Sequence, residues 1–322
     1  MKTGIIFAFA ALAFLVNAAR AGYVYEGQWG TEGAGDGQFR DPTGVAVAPN
    51  GNVYASDEYN HRVQYFTATG SFLGKWGSYG TGPGQFYQPW DVAVGPTGLV
   101  YVVGWRNHRI QYFTSSGSFI GAWGWEGSGP GQFSYPLGAA VAPDGNVYVA
   151  DSNNHRVQYF TSTGSFLGAW GSVGSGNGQF RYTSSVGIAP NGNVYVTDLE
   201  NHRVQYFTAG GSFLGTWGSE GAGEGQFVNP RGIAVASNGN VFVADHNDRV
   251  QYFTASGSFL GKLGTSGSGN GQFNSPADVA FSAKDARLYV ADYNNHRIQY
   301  FVDEEQFAVA PASLGRVKAL FR

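Results

Sequence analysis

The chain has 322 residues, a formal net charge of −3, 50 glycines, 16% aromatic residues and no cysteine. A balance on the acidic side speaks against a nucleic-acid surface, which needs a basic face for phosphates. The missing cysteine excludes a disulfide framework and a lipid-modified amino-terminal cysteine, and the length is ample for one large hydrophobic core.

In chain order the first element is a leader. Lys2, the apolar run Ile5 to Val16 and small residues at Ala18 or Ala21 read as a secretory signal peptide over residues 1–21. The run is too short to span a bilayer, so no transmembrane segment is expected after cleavage. Cleavage also removes Lys2 and Arg20, making the exported chain more acidic. Next comes a strand-like piece, Val24 to Gly30, which aligns with Ser71 to Gly77 further on.

Six near-identical copies of a 46 to 47 residue unit then begin at Gln38, Gln85, Gln132, Gln179, Gln226 and Gln272. A period of that size with four strand-like pieces per unit is the signature of propeller blades. In the first copy Val45 and Val47 alternate with small residues, Asn50-Gly51 turns the chain, and Val53-Tyr54 returns it. The spacing predicts a tight hairpin with positive φ at both turn residues. Arg62 to Phe66 and Ser71 to Trp76 supply the third and fourth strands.

The sixth copy stops after Phe301 without a fourth strand, and the piece at residues 24–30 is the spare one. The expected domain, residues 22–303, is therefore an all-β, six-bladed propeller of four-stranded antiparallel blades, closed by the amino-terminal strand. Closure hides edges that an open array would expose. A tail over residues 304–322 ends in Ser313 to Arg322, a basic stretch with Leu314, Val317, Leu320 and Phe321 on one helical face. It reads as a segment that docks on the propeller or serves as an attachment address.

Copy after copy, Gly-Gln-Phe, a proline, Gly-Asn-Val-Tyr-Val-x-Asp, Asn-His-Arg-Val-Gln-Tyr-Phe and Gly-x-Phe resemble the NHL repeat over about residues 23–302. The fifth copy departs with Asn247-Asp248-Arg249, which is expected to weaken that unit. The resemblance implies a six-bladed propeller. It leaves function open, because such propellers serve as binding platforms for RNA or protein, as extracellular sensors and, in relatives, as lyases or lactonases.

Residues present in nearly every copy are blade-building residues. His61, His108, His155, His202 and His296 are expected to make interblade hydrogen bonds rather than bind metal, since copies around a ring lie far apart. Asp57, Asp151, Asp198, Asp245 and Asp292 fall under the same reading. So does the ring of Trp29, Trp76, Trp123, Trp170 and Trp217, with Leu263 in the sixth place. Glycine-rich runs such as Gly80 to Gly84 precede strands, not helices, and read as crossovers rather than phosphate cradles.

Function is sought where the copies differ. Thr43, Trp90, Leu137, Ser184, Arg231 and Ala277 enter the first strands, followed by Gly44, Asp91, Gly138, Ser185, Gly232 and Asp278, and should ring the mouth of the channel. The second copy departs most, with Gly104-Trp105-Arg106 and Trp125. Trp90, Asp91, Trp105, Arg106, Trp125, Tyr135 and Arg231 are the candidate ligand-binding residues; stacking on a sugar ring or gripping a peptide suits them, and packing of crossover loops is the competing reading. No catalytic set, metal site or cofactor is assigned. The expected protein is a monomeric, secreted, cell-surface or periplasmic platform for an extracellular protein, peptide or glycan, with no nucleic-acid partner. The alternative is a lyase or lactonase-like hydrolase seated in the channel.

Overall fold

In the computed structural model, residues 22–304 are described; the leader at 1–21 and the tail from 305 lie outside them. Six four-stranded antiparallel sheets follow one another around a ring. Blade 1 consists of Pro42–Val47, Val53–Asp57, Arg62–Phe66 and Phe72–Trp76. Blades 2 to 5 repeat that order from Pro89, Pro136, Thr183 and Ile233, and blade 6 runs through Pro276–Phe281, Arg287–Asp292 and Arg297–Asp303. Its fourth strand is Tyr23–Trp29, with Val24 opposite Val302 and Trp29 opposite Ile298.

The closure carries its own lock. Glu26 stands where the other blades have a Leu or Ile, and Arg287 grips it from two nitrogens at 2.7 and 2.8 Å. A bidentate pair of this kind fixes the register of the closing strand as well as adding energy.

The first hairpin differs from its expected form. Gly51 N–H donates to Ala48 O, and Gly51 takes φ 93° while Asn50 keeps an ordinary negative φ. Pro49-Asn50 make a type I turn and glycine alone supplies the left-handed residue, so the loop is one residue longer than a two-residue hairpin.

The core is divided between the blades. Strand two of blade 1, Val53 to Asp57, is buried throughout, and Phe39 and Phe66 are fully enclosed. Each tryptophan of the ring packs on the next blade: Trp29 lies 5.4 Å from Phe66, Trp76 5.6 Å from Phe113 and Trp217 5.7 Å from Phe253. The approach is close enough to dictate the partner residue. A Cβ on Gly117, which has φ 90°, would lie 2.6 Å from the Trp76 ring.

Aspartates and histidines do what repetition implies. Asp57 accepts from Arg40 N–H at 2.8 Å, from Arg62 Nε at 2.7 Å and from Asn60 Nδ2 at 3.0 Å, while Arg62 also donates to Ala34, Gly35 and Gln38 carbonyls. The carboxylate thus straps the incoming crossover to the blade. The histidines tie one blade to the next. Gln88 N–H donates to His61 Nδ1, Tyr135 to His108, Tyr182 to His155, Asn229 to His202 and Asp41 to His296, all at 3.0 to 3.2 Å. In the fifth copy Asp248 takes the histidine's place and accepts Ser275 N–H at 2.7 Å, so the link between blades survives this departure.

Candidate functional site

First-strand entrances and the loops between second and third strands share one face, called the upper face; the two hairpin turns of each blade form the lower face. Thr43, Trp90, Leu137, Ser184, Arg231 and Ala277 meet at the upper mouth of the central channel, as the sequence predicts, and all but close it, leaving a space of about 10 Å³.

Beneath them sit the two channel carboxylates. Asp91 accepts Val92 N–H at 2.7 Å and, across the blade boundary, Ala139 N–H at 2.8 Å; Asp278 accepts Val45 N–H of blade 1 at 2.9 Å. The glycines opposite are obligatory, since a Cβ on Gly44 would stand 2.5 Å from an Asp91 oxygen. Burial, and for Asp278 the charge of Asp91 as well, pushes both carboxyls above the usual carboxylate range. This corrects the role proposed for Asp91. It is buried and aimed at backbone amides, so it fastens blades rather than orienting a ligand at the surface.

A polar cluster borders the mouth, in which Glu58, Gln88 and Tyr293, unforeseen in the sequence, join the expected Arg231. Glu58 is buried and accepts from Gln88 Nε2 at 2.8 Å and from the Tyr293 hydroxyl at 3.1 Å. Burial pushes its carboxyl up to about 7 even though Arg106 and Arg231 act in the opposite direction. Arg231 is half-buried beside them, and desolvation lowers the proton affinity of its guanidinium. The position directly after the repeated aspartate supplies Glu58 and Tyr293. It reads Glu58, Trp105, Ser152, Leu199, His246 and Tyr293, a different residue in every copy. That variability was a signal available in the sequence.

An aromatic ridge rises over blades 2 and 3. Trp105 lies 5.2 Å from Trp90 and 5.7 Å from Tyr135, ring centre to ring centre. The exposed Arg106 guanidinium sits 4.6 Å over Trp105 and 5.3 Å over Tyr87, a cation–π arrangement on two rings. Tyr87 continues to Tyr79 at 5.2 Å, which is 63% exposed and extends the ridge toward blade 1. Trp125, expected in this group, is 60% exposed on the crossover loop and makes no ring contact with it among the described residues. Of the seven candidates, the structure gathers Trp90, Trp105, Arg106 and Tyr135, and places Arg231 at the adjoining mouth.

Raising the ridge disturbs blade 2. Gly104 occupies the place of the strapping aspartate, and Asn107 instead accepts Tyr87 N–H at 2.7 Å. Arg109 still donates to Thr81 and Gly82 carbonyls, but its buried Nε has no partner, and burial lowers its proton affinity. One structural rule is broken in one blade, at the ridge. Among the described residues, no three His, Asp or Glu side chains come together in a group able to hold a metal ion.

A ring of six four-stranded sheets around a channel, with one variable polar mouth, defines a six-bladed β-propeller. NHL repeats are recognised at residues 39–66, 86–113, 133–160, 180–207 and 273–301, in blades 1 to 4 and blade 6 of this propeller. A 49-residue stretch is 41% identical to the B-box type zinc finger protein ncl-1 of Caenorhabditis elegans, covering 15% of this chain and only 6% of that protein. Among solved structures, a structural-genomics protein of unknown function from Bacteroides thetaiotaomicron superposes with TM-score 0.65 at 18% identity, over 86% of this chain and 76% of that one. Streptogramin B lyase gives 0.61 at 12% identity, over 87% and 97%, and the hydrazine synthase of Kuenenia stuttgartiensis gives 0.57 at 13%, over 81% and 95%. At these identities the likeness is one of fold.

Proposed function

We propose that the protein is a secreted, non-catalytic binding platform that takes an extracellular carbohydrate or peptide segment on the ridge of Trp90, Trp105, Arg106 and Tyr135. An NHL propeller fits an interaction platform, and the leader-like residues 1–21 support export. The observation that carries the site is the coincidence in blade 2. The one blade that gives up its strapping carboxylate, leaving Arg109 Nε unpaired, is the blade that raises the aromatic ridge. Local rules broken without structural gain mark functional positions. Tryptophan faces supply apolar area at little entropic loss, and the Arg106 guanidinium sets orientation at their edge.

The test is a glycan and peptide array followed by titration of the best binder. Trp105→Ala and Arg106→Ala are each expected to weaken binding by about 1–3 kcal/mol while the melting temperature stays within a degree or two. Trp105→Ala that unfolds blade 2, or that leaves every interaction intact, turns the ridge into packing.

A second reading rests on Glu58. A buried carboxyl near 7, hydrogen-bonded to Tyr293 beside Arg231, has the proton affinity that general acid–base chemistry requires, as in a channel-sited lyase or hydrolase. Turnover of any array hit that is abolished by Glu58→Gln would favour it.

A further inference from the structure

Arg231 holds a charge where a charge is costly to hold. It enters the first strand of blade 5 at the position that reads Thr43, Trp90, Leu137, Ser184 and Ala277 in the other copies, so it is the one charged residue of that ring. It is half-buried at the upper mouth, and among the described residues its guanidinium makes no hydrogen bond and no ion pair. The repeated arginines behave differently: Arg62 has a carboxylate at 2.7 Å and donates to three backbone carbonyls. A planar fork of N–H donors withdrawn from water and left unpaired suits an acceptor with two oxygens in one plane.

Three carboxyl groups lie near the mouth, and each is already engaged. Glu58 is held by Gln88 and Tyr293 at 2.8 and 3.1 Å, Asp91 by the amides of Val92 and Ala139, and Asp278 by that of Val45. Burial raises all three above the usual carboxylate range, so they offset the charge of Arg231 only in part. The other neighbours add no negative charge. Burial first, and Arg231 second, hold His246 toward its neutral form, while Arg106 of blade 2 acts on Glu58 together with Arg231. A chain of net charge −3 thus carries a locally basic spot at its mouth.

That spot adjoins the ridge. Blades 2 and 5 face each other across the ring, and Arg231 and Trp90 line the same space at the mouth. Trp90 packs on Trp105 at 5.2 Å, and Trp105 carries the Arg106 guanidinium at 4.6 Å. A flat ring laid on this pair of tryptophans has its inner edge toward Arg231. The open strand edges of the blades lie at the outer rim, away from the mouth, so a peptide has no sheet to extend there. Flat aromatic faces beside an unpaired guanidinium favour a sugar that bears a carboxylate.

We propose that the ligand of the ridge is an acidic carbohydrate, of which one hexuronic acid residue stacks on the Trp90–Trp105 pair and sets its carboxylate on the guanidinium of Arg231. The proposal rests on the ridge as the binding site and adds what that site selects. Arg231 supplies the selection, and the tryptophans supply the shape.

Matched probes separate charge from shape: short oligomers of galacturonate, mannuronate and glucuronate, and the same oligomers with their carboxyls methyl-esterified. In calorimetric titration of the purified protein near neutral pH, at least one acid should bind at least about tenfold tighter than its ester. Arg231→Gln should abolish that preference and leave both the ester's affinity and the melting temperature unchanged, since no protein partner is lost. Arg231→Lys, which keeps the charge and loses the fork, should retain only part of it. Trp105→Ala should weaken acid and ester alike. Failure of every acid to bind, equal binding of acid and ester by the parent protein, or a preference that survives Arg231→Gln overturns the acidic ligand. If Trp105→Ala still weakens a neutral glycan or a peptide found on the array, the ridge stands as the site without this selectivity. If Trp105→Ala leaves acid and ester binding intact, the ridge and the acidic ligand fall together.

Discussion

The two faces of this ring obey different rules. On the lower face most blades repeat themselves, with Val-Ala-Pro-Asn-Gly or a close variant turning each first hairpin and the same apolar wall facing the channel. On the upper face the outer shell of most loops is nearly as fixed, because Asp, Asn, His and Arg strap crossovers and join blades. The inner positions are free of that duty. Glu58, Trp105, Ser152, Leu199, His246 and Tyr293 share one place in the fold and no chemistry. A repeat protein thus separates architecture from specificity residue by residue: whatever the blade needs recurs, and whatever the ligand needs is left to vary.

The sharpest way to break that contrast is to remove an architectural residue beside the variable ones. Asp151 is fully buried and accepts from Ser134 N–H, Asn154, Arg156 and Gln158. Asp151→Ala takes the carboxylate from the half-buried Arg156 guanidinium, which keeps its carbonyl acceptors, and leaves three further donors without it; it is expected to lower stability by about 2–3 kcal/mol in denaturant titration. Trp90→Ala, one blade away at the mouth, should change it far less. Equal losses would erase the distinction between the two kinds of position.

Next in size is a pH effect to which the upper mouth and throat contribute most plainly. Glu58 rises from 4.5 to about 7, and Asp91 and Asp278 are raised as well, in each case chiefly by burial. Between about 4.5 and 7 the folded protein therefore holds protons that the unfolded chain has released, so stability falls as pH rises through that window and levels off above it. Melting temperatures from pH 4.5 to 8 check the slope. His61, His108 and His246, lowered by burial, work in the opposite direction, so the test is the difference between variants: Glu58→Gln should remove the falling contribution, and a pH profile identical to that of the parent would contradict the burial argument.

A smaller effect tests whether the blade-to-blade link depends on histidine or on an acceptor. His202 sits at φ 53° and accepts Asn229 N–H, whereas Asp248 at φ 56° does the same for Ser275. His202→Ala should cost about 1–2 kcal/mol, from a lost acceptor and a left-handed residue with no side-chain support. His202→Asp should recover most of it, because aspartate tolerates that conformation and supplies the oxygen. If the aspartate variant is as unstable as the alanine one, the imidazole is required for something other than this bond.

Much of this was legible beforehand because repetition averages out local ambiguity. Six aligned copies exposed the strands, the spare strand at Val24 to Gly30 and the structural duty of the histidines. The channel ring followed from strand direction alone. The missed features depend on depth and on contacts distant in sequence. Asp91 looks like a surface carboxylate until the amide of Ala139 is found beside it. Trp125 looks like a partner of Trp105 until the crossover carries it outward. Glu58 meets Tyr293 across 235 positions of sequence, and no local pattern announces that encounter.

The smallest expected effect bears most directly on why blade 2 differs. In blade 1 one carboxylate serves Arg40 N–H, Asn60 and Arg62. In blade 2 Gly104 leaves Asn107 to take Tyr87 N–H and leaves Arg109 Nε with nothing. Gly104→Asp should restore the shared arrangement. Its Cβ would meet Asn107 Cβ at 3.0 Å, so Asn107 must move back toward the position that its counterparts hold, releasing Tyr87 N–H to the new carboxylate. The net gain is one charge-assisted bond to a buried nitrogen, offset by that repacking, and an increase of about 1 kcal/mol is expected. The informative readout is binding. Tyr87 lies under Arg106, and Trp105 follows residue 104 directly, so returning the loop to the common form should shift the ridge and weaken the ligand without touching it. A more stable variant with unchanged binding would mean that the lost aspartate has no part in building the ridge.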